Sequence, residues 1–239
     1  MSFLINPFIY ASSTASTISL TNLVSYYKFN DDVTDSYGPN NGTSTGLTYN
    51  TGNFSNAGQF NGTTSRVNAS DSASLSFQGS FSVNLWVYLN AQPATNLYRY
   101  ITAKGVTNGW ALTYRDVAGV KRFENYIFAD GTTTNFSYQF ASHTLTLSAW
   151  TMVTWVVTPS NSIGSKFKMY INGDSINDSE LNNRSWCSVI FDNSEPLYIG
   201  HGNAAQYFNG RIDDVSIWTR NLTDPEIGLL YSGGTPLIY

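Results

Sequence analysis

The sequence predicts an all-β fold: an antiparallel two-sheet sandwich with one short C-terminal helix. Three observations predict it. Charged residues make up only 12% of the 239 residues, about half the share of an average soluble domain, and Gly, Ser, Thr and Asn take their place. Thr, Tyr, Val and Phe, which form strands, outweigh Lys and Glu, which form helices. Short segments of period-two hydrophobicity follow one another, divided by clusters of Gly, Asn, Asp and Pro. That is the pattern of consecutive antiparallel strands.

The first strand is read at LVSYYKF, and a turn-rich region follows from Asn30 to Gly62. FSVNLWVYL is the clearest strand. Phe81, Val83, Leu85, Val87 and Leu89 fall on one face, and Ser82, Asn84, Trp86 and Tyr88 on the other, because successive strand side chains alternate. RYITAKG, GWALTYR and RFENYIFAD continue the series, and WTMVTWVVT stops at Pro159. In KFKMYINGDSI, Asn172-Gly173 predicts a two-residue hairpin, since a type I′ turn needs positive φ at both central positions. PLYIG and GRIDDVSIW close the set. Trp110, Trp150 and Trp155 read as packing residues. The single helix is read in LTDPEIGLLYSGG. Thr223 caps it, Glu226 reaches back to the cap, Pro225 is tolerated in the first turn, and Gly233 and Gly234 stop it. The polar stretches Asn30–Gly62 and Ser175–Asn193 read as long loops, where function concentrates.

The bulk numbers exclude several classes. A net charge of −4, with 12 Lys and Arg scattered along the chain, leaves no basic stripe, so nucleic acid is not an expected partner. A single cysteine, Cys187, rules out an intramolecular disulfide and a cysteine metal cluster, and reads as a small buried hydrophobe. No apolar run reaches the ~20 residues of a membrane-spanning helix, so membrane insertion is not expected. The first residues, MSFLINPFIYASSTASTISL, carry no Lys or Arg before the apolar part, and Asn6-Pro7 interrupts it. Residues 1–21 therefore read as an apolar arm and linker rather than a signal peptide, ahead of one domain at 22–239. Phe3, Leu4, Ile5, Phe8, Ile9 and Tyr10 are expected to dock on this domain or on a neighbouring subunit, so the chain is expected to be part of an oligomer.

In order along the chain stand YYKFNDDVTDSYGPNNGT, GQFNGTTSRV, FSVNLWVYL, WTMVTWVVT, KMYINGD, PLYIGHG and NGRIDDVSIWTRNLTDPEIGLLY. No one of these is specific, but the series, from about Leu23 to Tyr231, resembles the concanavalin A-like, laminin-G-type jelly-roll domain. The resemblance implies two curved antiparallel sheets with a concave and a convex face. It implies modules that are mostly non-enzymatic, that bind glycans or proteins, and that often carry one calcium. Related folds include glycoside hydrolases.

Asp213 and Asp214 stand inside GRIDDVSIW, where a strand usually excludes Asp. Strict alternation puts Asp213, Val215 and Ile217 on one face and Ile212, Asp214, Ser216 and Trp218 on the other. Asp213 would then sit at the rim of the core and need hydrogen bonds, a cation or a metal. The resemblance implies a calcium on the equivalent Asp, held together with backbone carbonyls of the first strand and a nearby loop. Asp213, Asp32 and Asn30 are the candidate calcium ligands, hard oxygens of the kind Ca²⁺ prefers, with Asp31 and Asp35 in the same acidic loop. The alternative is structural: Asp213 bonded to backbone N–H groups and Asp35 in an ordinary Asx-turn.

Sugars dock on aromatic faces flanked by amides and carboxylates. Trp186, in the polar stretch ELNNRSWCSV, Tyr126 and Trp86 are the candidate carbohydrate-binding residues, with Trp86 and Tyr88 either lining the concave face or covered by the N-terminal arm. Catalysis finds little support. The four Glu residues are Glu124, Glu180, Glu195 and Glu226, and none has the acidic partner along a predicted strand that paired-carboxylate hydrolysis requires. His143 and His201 read as solvated loop residues, and no nucleophile elbow, zinc pairing or phosphate loop is present. No catalytic residues are assigned. The expected function is a structural interaction module at a virion surface, as a capsid-decoration or fibre-associated protein, with a lectin-like domain for glycans or a host surface. Its partners would be assembly proteins met through the arm. The alternative is a secreted or cell-surface carbohydrate-binding module, and a third reading is a glycoside hydrolase.

Overall fold

The computed structural model describes residues 18–106, 108–130, 132, 136–160, 166–176, 179–183, 189–202 and 206–232. Most of the predicted arm, Trp186, Cys187, Gly233 and Gly234 lie outside the described residues. In chain order the strands are β1 (Leu23–Tyr27), β2 (Gly42–Thr45), β3 (Thr48–Thr51), β4 (Asn56–Asn61), β5 (Arg66–Ala69), β6 (Phe81–Leu89), β7 (Tyr98–Lys104) and β8 (Trp110–Val117). There follow β9 (Val120–Phe128), β10 (Phe136–Ser142), β11 (Trp150–Thr158), β12 (Lys166–Ile171), β13 (Asp174–Ser175), β14 (Ser179–Asn183), β15 (Leu197–Ile199) and β16 (Asn209–Trp218), then helix α1 (Asp224–Ser232). The first sheet has the order β13-β12-β11-β6-β16-β4-β3, with β1 also on β16, and the second β14-β10-β9-β8-β7-β15-β5-β2. Every strand pairing is antiparallel. The all-β sandwich with one short C-terminal helix is thus the observed architecture.

The predicted stripe of β6 builds the core. Phe81, Val83, Leu85, Val87 and Leu89 are buried between the sheets with Trp110, Leu112, Phe123, Trp155 and Ile199. Phe81 is wedged between Trp110 and Trp155, with ring centroids 5.2 Å from each. Fully burying such side chains contributes roughly 1.5–3 kcal/mol apiece. The predicted hairpin also forms between β12 and β13, with φ of 53° at Asn172 and 87° at Gly173.

Two expectations are corrected. The stretch Asn30–Gly62 is not a long loop, because it carries β2, β3 and β4, and the stretch Ser175–Asn193 carries β14. β2 and β3 lie at sheet edges and are largely exposed, so neither needs the apolar stripe that betrays a strand in sequence. Nor does β16 alternate strictly. Its register against β6 shifts between Asp213 and Ser216, and Asp214 adopts φ of +48°. This bulge adds a residue to one strand. Ile212, Val215 and Ile217 therefore all reach the inter-sheet core, while Asp213 sits opposite Trp86 in register, on the outer face.

That outer face of the first sheet has its own cover. Trp86, Met152, Val156, Tyr170 and Trp218 pack with Leu222, Ile227 and Leu230, and Ile18 and Leu20 lie against them. The capping box forms as predicted: Glu226 N–H donates to Thr223 Oγ1 at 3.4 Å and Thr223 N–H donates to Glu226 Oε2 at 2.9 Å. Arg220 also donates to both Glu226 oxygens, at 2.8 and 2.7 Å. These Arg220 bonds, with those from Thr223, pull the Glu226 carboxyl down to about 2. Losing a helix cap costs about 1 kcal/mol. Glu226→Ala should lower urea stability by about that amount and loosen α1 over Trp86, read as a change in tryptophan fluorescence.

Candidate functional site

The outer face of the second sheet carries a row of side chains in register. Tyr138 of β10 pairs with Tyr126 of β9, Tyr126 with Ala111 of β8, Ala111 with Ala103 of β7, Ala103 with Tyr198 of β15, and Tyr198 with Asn68 of β5. The Tyr126 and Tyr138 rings stack at 5.9 Å and 27°, and Phe136 lies 5.9 Å from Tyr126. Two alanines give the middle of the row a low floor, which Tyr100 covers with Tyr98 and Tyr198 at its edges. Adjacent strands are roughly 4.8 Å apart, so Tyr126 and Tyr198, three strands apart, stand roughly 14 Å from each other, the reach of a short oligosaccharide.

Beneath this row lies a charged network. Alternation along RFENY puts Arg122, Glu124 and Tyr126 on one face. Glu124 is 5% exposed. Its Oε1 accepts from Tyr98 Oη at 3.0 Å, from Arg115 Nη1 at 3.2 Å and from the Tyr126 hydroxyl. Its Oε2 accepts from Arg122 Nη2 at 2.7 Å and Nε at 3.0 Å. The Arg115 guanidinium lies 4.0 Å over the Tyr98 ring and that of Arg122 4.4 Å over Phe140. Burial pushes the Glu124 carboxyl up, but bonds from Tyr126 and Arg122 and the charges of Arg115 and Arg122 outweigh it, leaving it below its ordinary range. Burial, together with the Glu124 charge, raises the Tyr126 hydroxyl. At neutral pH the network is one carboxylate, two guanidiniums and neutral tyrosine donors. A glycosidase acid needs the opposite shift and a second carboxyl beside it, whereas Glu124's partners are two arginines and two tyrosines.

At the far end of the sheet, His201 is buried rather than solvated. Its Nε2 meets Asn68 Oδ1 at 2.6 Å and its Nδ1 the Gly202 carbonyl at 3.1 Å. Burial lowers its pKa to about 4, so it is a neutral ring, edge-on to Tyr198 at 4.7 Å.

The paired aspartates lie elsewhere, on the outer face of the first sheet. Asp213 is fully buried and its Oδ2 accepts the N–H groups of Asn53 and Phe54 at 2.8 and 3.1 Å. Asp214 accepts the Tyr26 hydroxyl on Oδ1. Asp213 Oδ1 and Asp214 Oδ2 are buried with no hydrogen-bond partner. Burial, and for Asp213 the neighbouring Asp214 carboxyl, raises the pair to about 8 and about 6 respectively.

Residues 61–228 match the family model of the concanavalin A-like lectin/glucanases superfamily. The chain belongs to this superfamily. Among solved structures, domain 4 of AbnA, a GH43 extracellular arabinanase from Geobacillus stearothermophilus in complex with arabinotriose, superposes with a TM-score of 0.66 at 22% identity, covering 88% of this chain and 98% of that one. The binding domain of Paraclostridial Mosquitocidal Protein 1 gives 0.71 at 20% identity over 89% of this chain, and that of Botulinum Neurotoxin DC in complex with SialylT gives 0.66 at 15% over 90%. The chain spans about half of each toxin structure, 52% in both. No curated protein matches it in sequence. No helix among the described residues is long and apolar enough to cross a membrane.

The calcium that this superfamily membership suggests can be tested against the aspartates. Two buried carboxylate oxygens without partners, on carboxyls pushed up by burial, are what a divalent cation would relieve, so Asp213 fits, and Asp214 joins it. Asn30 and Asp32 are not brought to that point by any side-chain bond. Asn30 Oδ1 accepts the Asn56 N–H at 3.2 Å, on the same turn that Asp213 holds, and Asp32 Oδ1 accepts the Thr34 N–H at 2.9 Å. Among the described residues no three His, Cys, Asp or Glu side chains converge, so backbone carbonyls would have to complete a coordination shell. Asp35 fills the Asx role, accepting N–H groups from Tyr26, Tyr37 and Gly38.

Of the predicted aromatic residues, Tyr126 lies in the row. Trp86 is 8% exposed and covered by Phe54 at 5.8 Å and by Tyr231 of α1 at 5.9 Å; it is a packing residue held by the helix, not a platform. Sequence reasoning left Glu124 standing alone and did not find Tyr98, Arg115 or Arg122. The two-residue spacing in RFENY was the available signal. The cross-strand pairing that completes the network was not visible.

Proposed function

We propose that the chain is a non-enzymatic, lectin-like carbohydrate-binding module that takes glycan on the outer face of the second sheet, centred on Tyr126. The aromatic row over the Glu124 network carries the reading. It offers rings for the C–H faces of a sugar, and guanidinium donors held in place by Glu124 for its edges. Two superposing structures are complexes with arabinotriose and SialylT, which supports a saccharide as ligand. An ionised Glu124 with no acid partner supports binding without hydrolysis. We also propose one calcium at Asp213 and Asp214. Display on a virion surface, the setting suggested by the arm, belongs to residues outside those described, and secretion is its alternative.

The glycan site is tested on the full chain with a glycan array, followed by calorimetry on the best hit. Tyr138→Ala removes a half-buried ring of the row without touching Glu124. Affinity should fall at least tenfold with the thermal midpoint kept. A blank array, or unchanged affinity in both Tyr138→Ala and Tyr198→Ala, would count against the face.

A further inference from the structure

Helix α1 does not cover the whole outer face of the first sheet. One step along the strands from Trp86, Trp150 of β11 pairs with Tyr88 of β6, Tyr88 with Arg211 of β16, and Arg211 with Gln59 of β4. All four side chains are half-buried. The Tyr88 and Trp150 rings lie 5.5 Å apart at 58°. The Arg211 guanidinium carbon is 3.7 Å over Tyr88 and 5.7 Å from Trp150.

The surroundings of its arginine distinguish this row. Arg115, Arg122 and Arg220 each have a carboxylate partner. Among the described residues Arg66, Arg99 and Arg211 have none, and of these three Arg211 is the one that lies over aromatic rings; for Arg211, the bonds are few. Its Nη1 donates to the Thr51 carbonyl, and its Nε is buried with no partner at all. The nearest acid along its strand, Asp213, gives its bonded oxygen to Asn53 and Phe54 instead. Gln59 spends its amide N–H groups on the Phe60 and Gly210 carbonyls, which fixes it beside the guanidinium. A half-buried cation held over an aromatic ring lacks one thing, an anion.

We propose that Trp150, Tyr88, Arg211 and Gln59 form a second saccharide site, separate from the face around Tyr126, that takes a carboxylate-bearing sugar such as a sialic or uronic acid. The ring stacks on Trp150 beside Tyr88, and the carboxylate meets Arg211 Nη2, the guanidinium nitrogen that is neither spent on Thr51 nor buried, in a charge-assisted bond. Gln59 Oε1 accepts from a sugar hydroxyl. A neutral sugar leaves Arg211 without its anion and is held by stacking and the Gln59 bond alone.

The test titrates the full chain with two acidic probes and their neutral counterparts: 3′-sialyllactose against lactose, and trigalacturonate against galactotriose. At least one acidic probe should bind tenfold or more tightly than its counterpart, and added salt should weaken it. Arg211→Gln should abolish that preference. Gln59→Glu supplies an internal carboxylate opposite Arg211 and should do the same; it gives up the two N–H bonds to the Phe60 and Gly210 carbonyls, so its thermal midpoint should fall, and binding is read on the folded protein well below that midpoint. Tyr138→Ala should leave the preference intact. If neither acidic probe is preferred, or if the preference survives both Arg211→Gln and Gln59→Glu, the site is refuted. If the preference disappears in Tyr138→Ala alone, the acidic sugar belongs to the second-sheet face, and this inference falls while that reading stands.

Discussion

In the presence of a chelator, the thermal midpoint should fall as pH rises from about 4 to 8, and Asp213→Asn should remove most of that fall. The sign follows from the buried pair. Asp213 is pushed up to about 8 and Asp214 to about 6 from an ordinary 3.8. Between those values the folded chain holds protons that the unfolded chain has already released. Stability is therefore complete below pH 4 and is lost as pH climbs through 6 and 8. A decade of proton affinity is worth about 1.4 kcal/mol. Even after generous relaxation of the bulge, the loss should reach roughly 3 kcal/mol, or about 10 °C for a domain of this size. Asn keeps an oxygen for the N–H groups of Asn53 and Phe54 but cannot ionise.

Calcium should reverse the effect. At pH 8 Asp214 is ionised and Asp213, raised to about 8, is partly so; their partnerless oxygens then favour a divalent cation, which draws the remaining proton off. A cation that binds only the folded chain raises stability by mass action, so millimolar calcium should restore the midpoint at pH 8 and do little at pH 5. Asp213→Asn should not respond. A midpoint that is flat with pH in chelator would mean that the pair is better solvated than its burial suggests. A wild-type midpoint indifferent to calcium at pH 8 would remove the metal.

The legibility of this chain from sequence divides along one physical line. Local rules were readable: the stripe of β6, the positive-φ pair at Asn172 and Gly173, and the reciprocal cap of Thr223 and Glu226 each depend on residues a few positions apart. What depends on pairing between distant strands was not. The bulge at Asp214 overrode the alternation read for β16, because burying Ile212, Val215 and Ile217 together gains more than strict pleating does. Trp150 read as core because a Trp in an apolar strand usually is. Only the register against Tyr88 and Arg211 shows it on the outer face. Trp86 was read on the correct face of β6, but its cover is α1 and Phe54. Glu124 looked solitary because its partners Tyr98 and Arg115 come from two other strands.

Glu124→Gln should be the most damaging single substitution on the second sheet. Arg115 and Arg122 side chains are only 14% and 20% exposed, and both lean on this one carboxylate. Removing one partner of a buried ionic group strands the others, at a cost of about 3–5 kcal/mol. An amide offers one acceptor where the network uses two, and its N–H groups would face guanidinium donors. Unfolding in urea should show a loss in that range, with glycan binding lost as well, since Tyr98 and Tyr126 hydroxyls lose their anchor. Binding and stability can then be separated. Replacing the centre by apolar groups of similar volume, Glu124→Leu with Arg122→Met and Arg115→Met, removes the stranded charges and should recover most of the stability. It should not recover binding, because the oriented donors are gone. Binding that returns with stability would show that the network merely props up the sheet. An affinity that stays absent in a stable protein would show that Glu124 serves the ligand face by holding its donors in place.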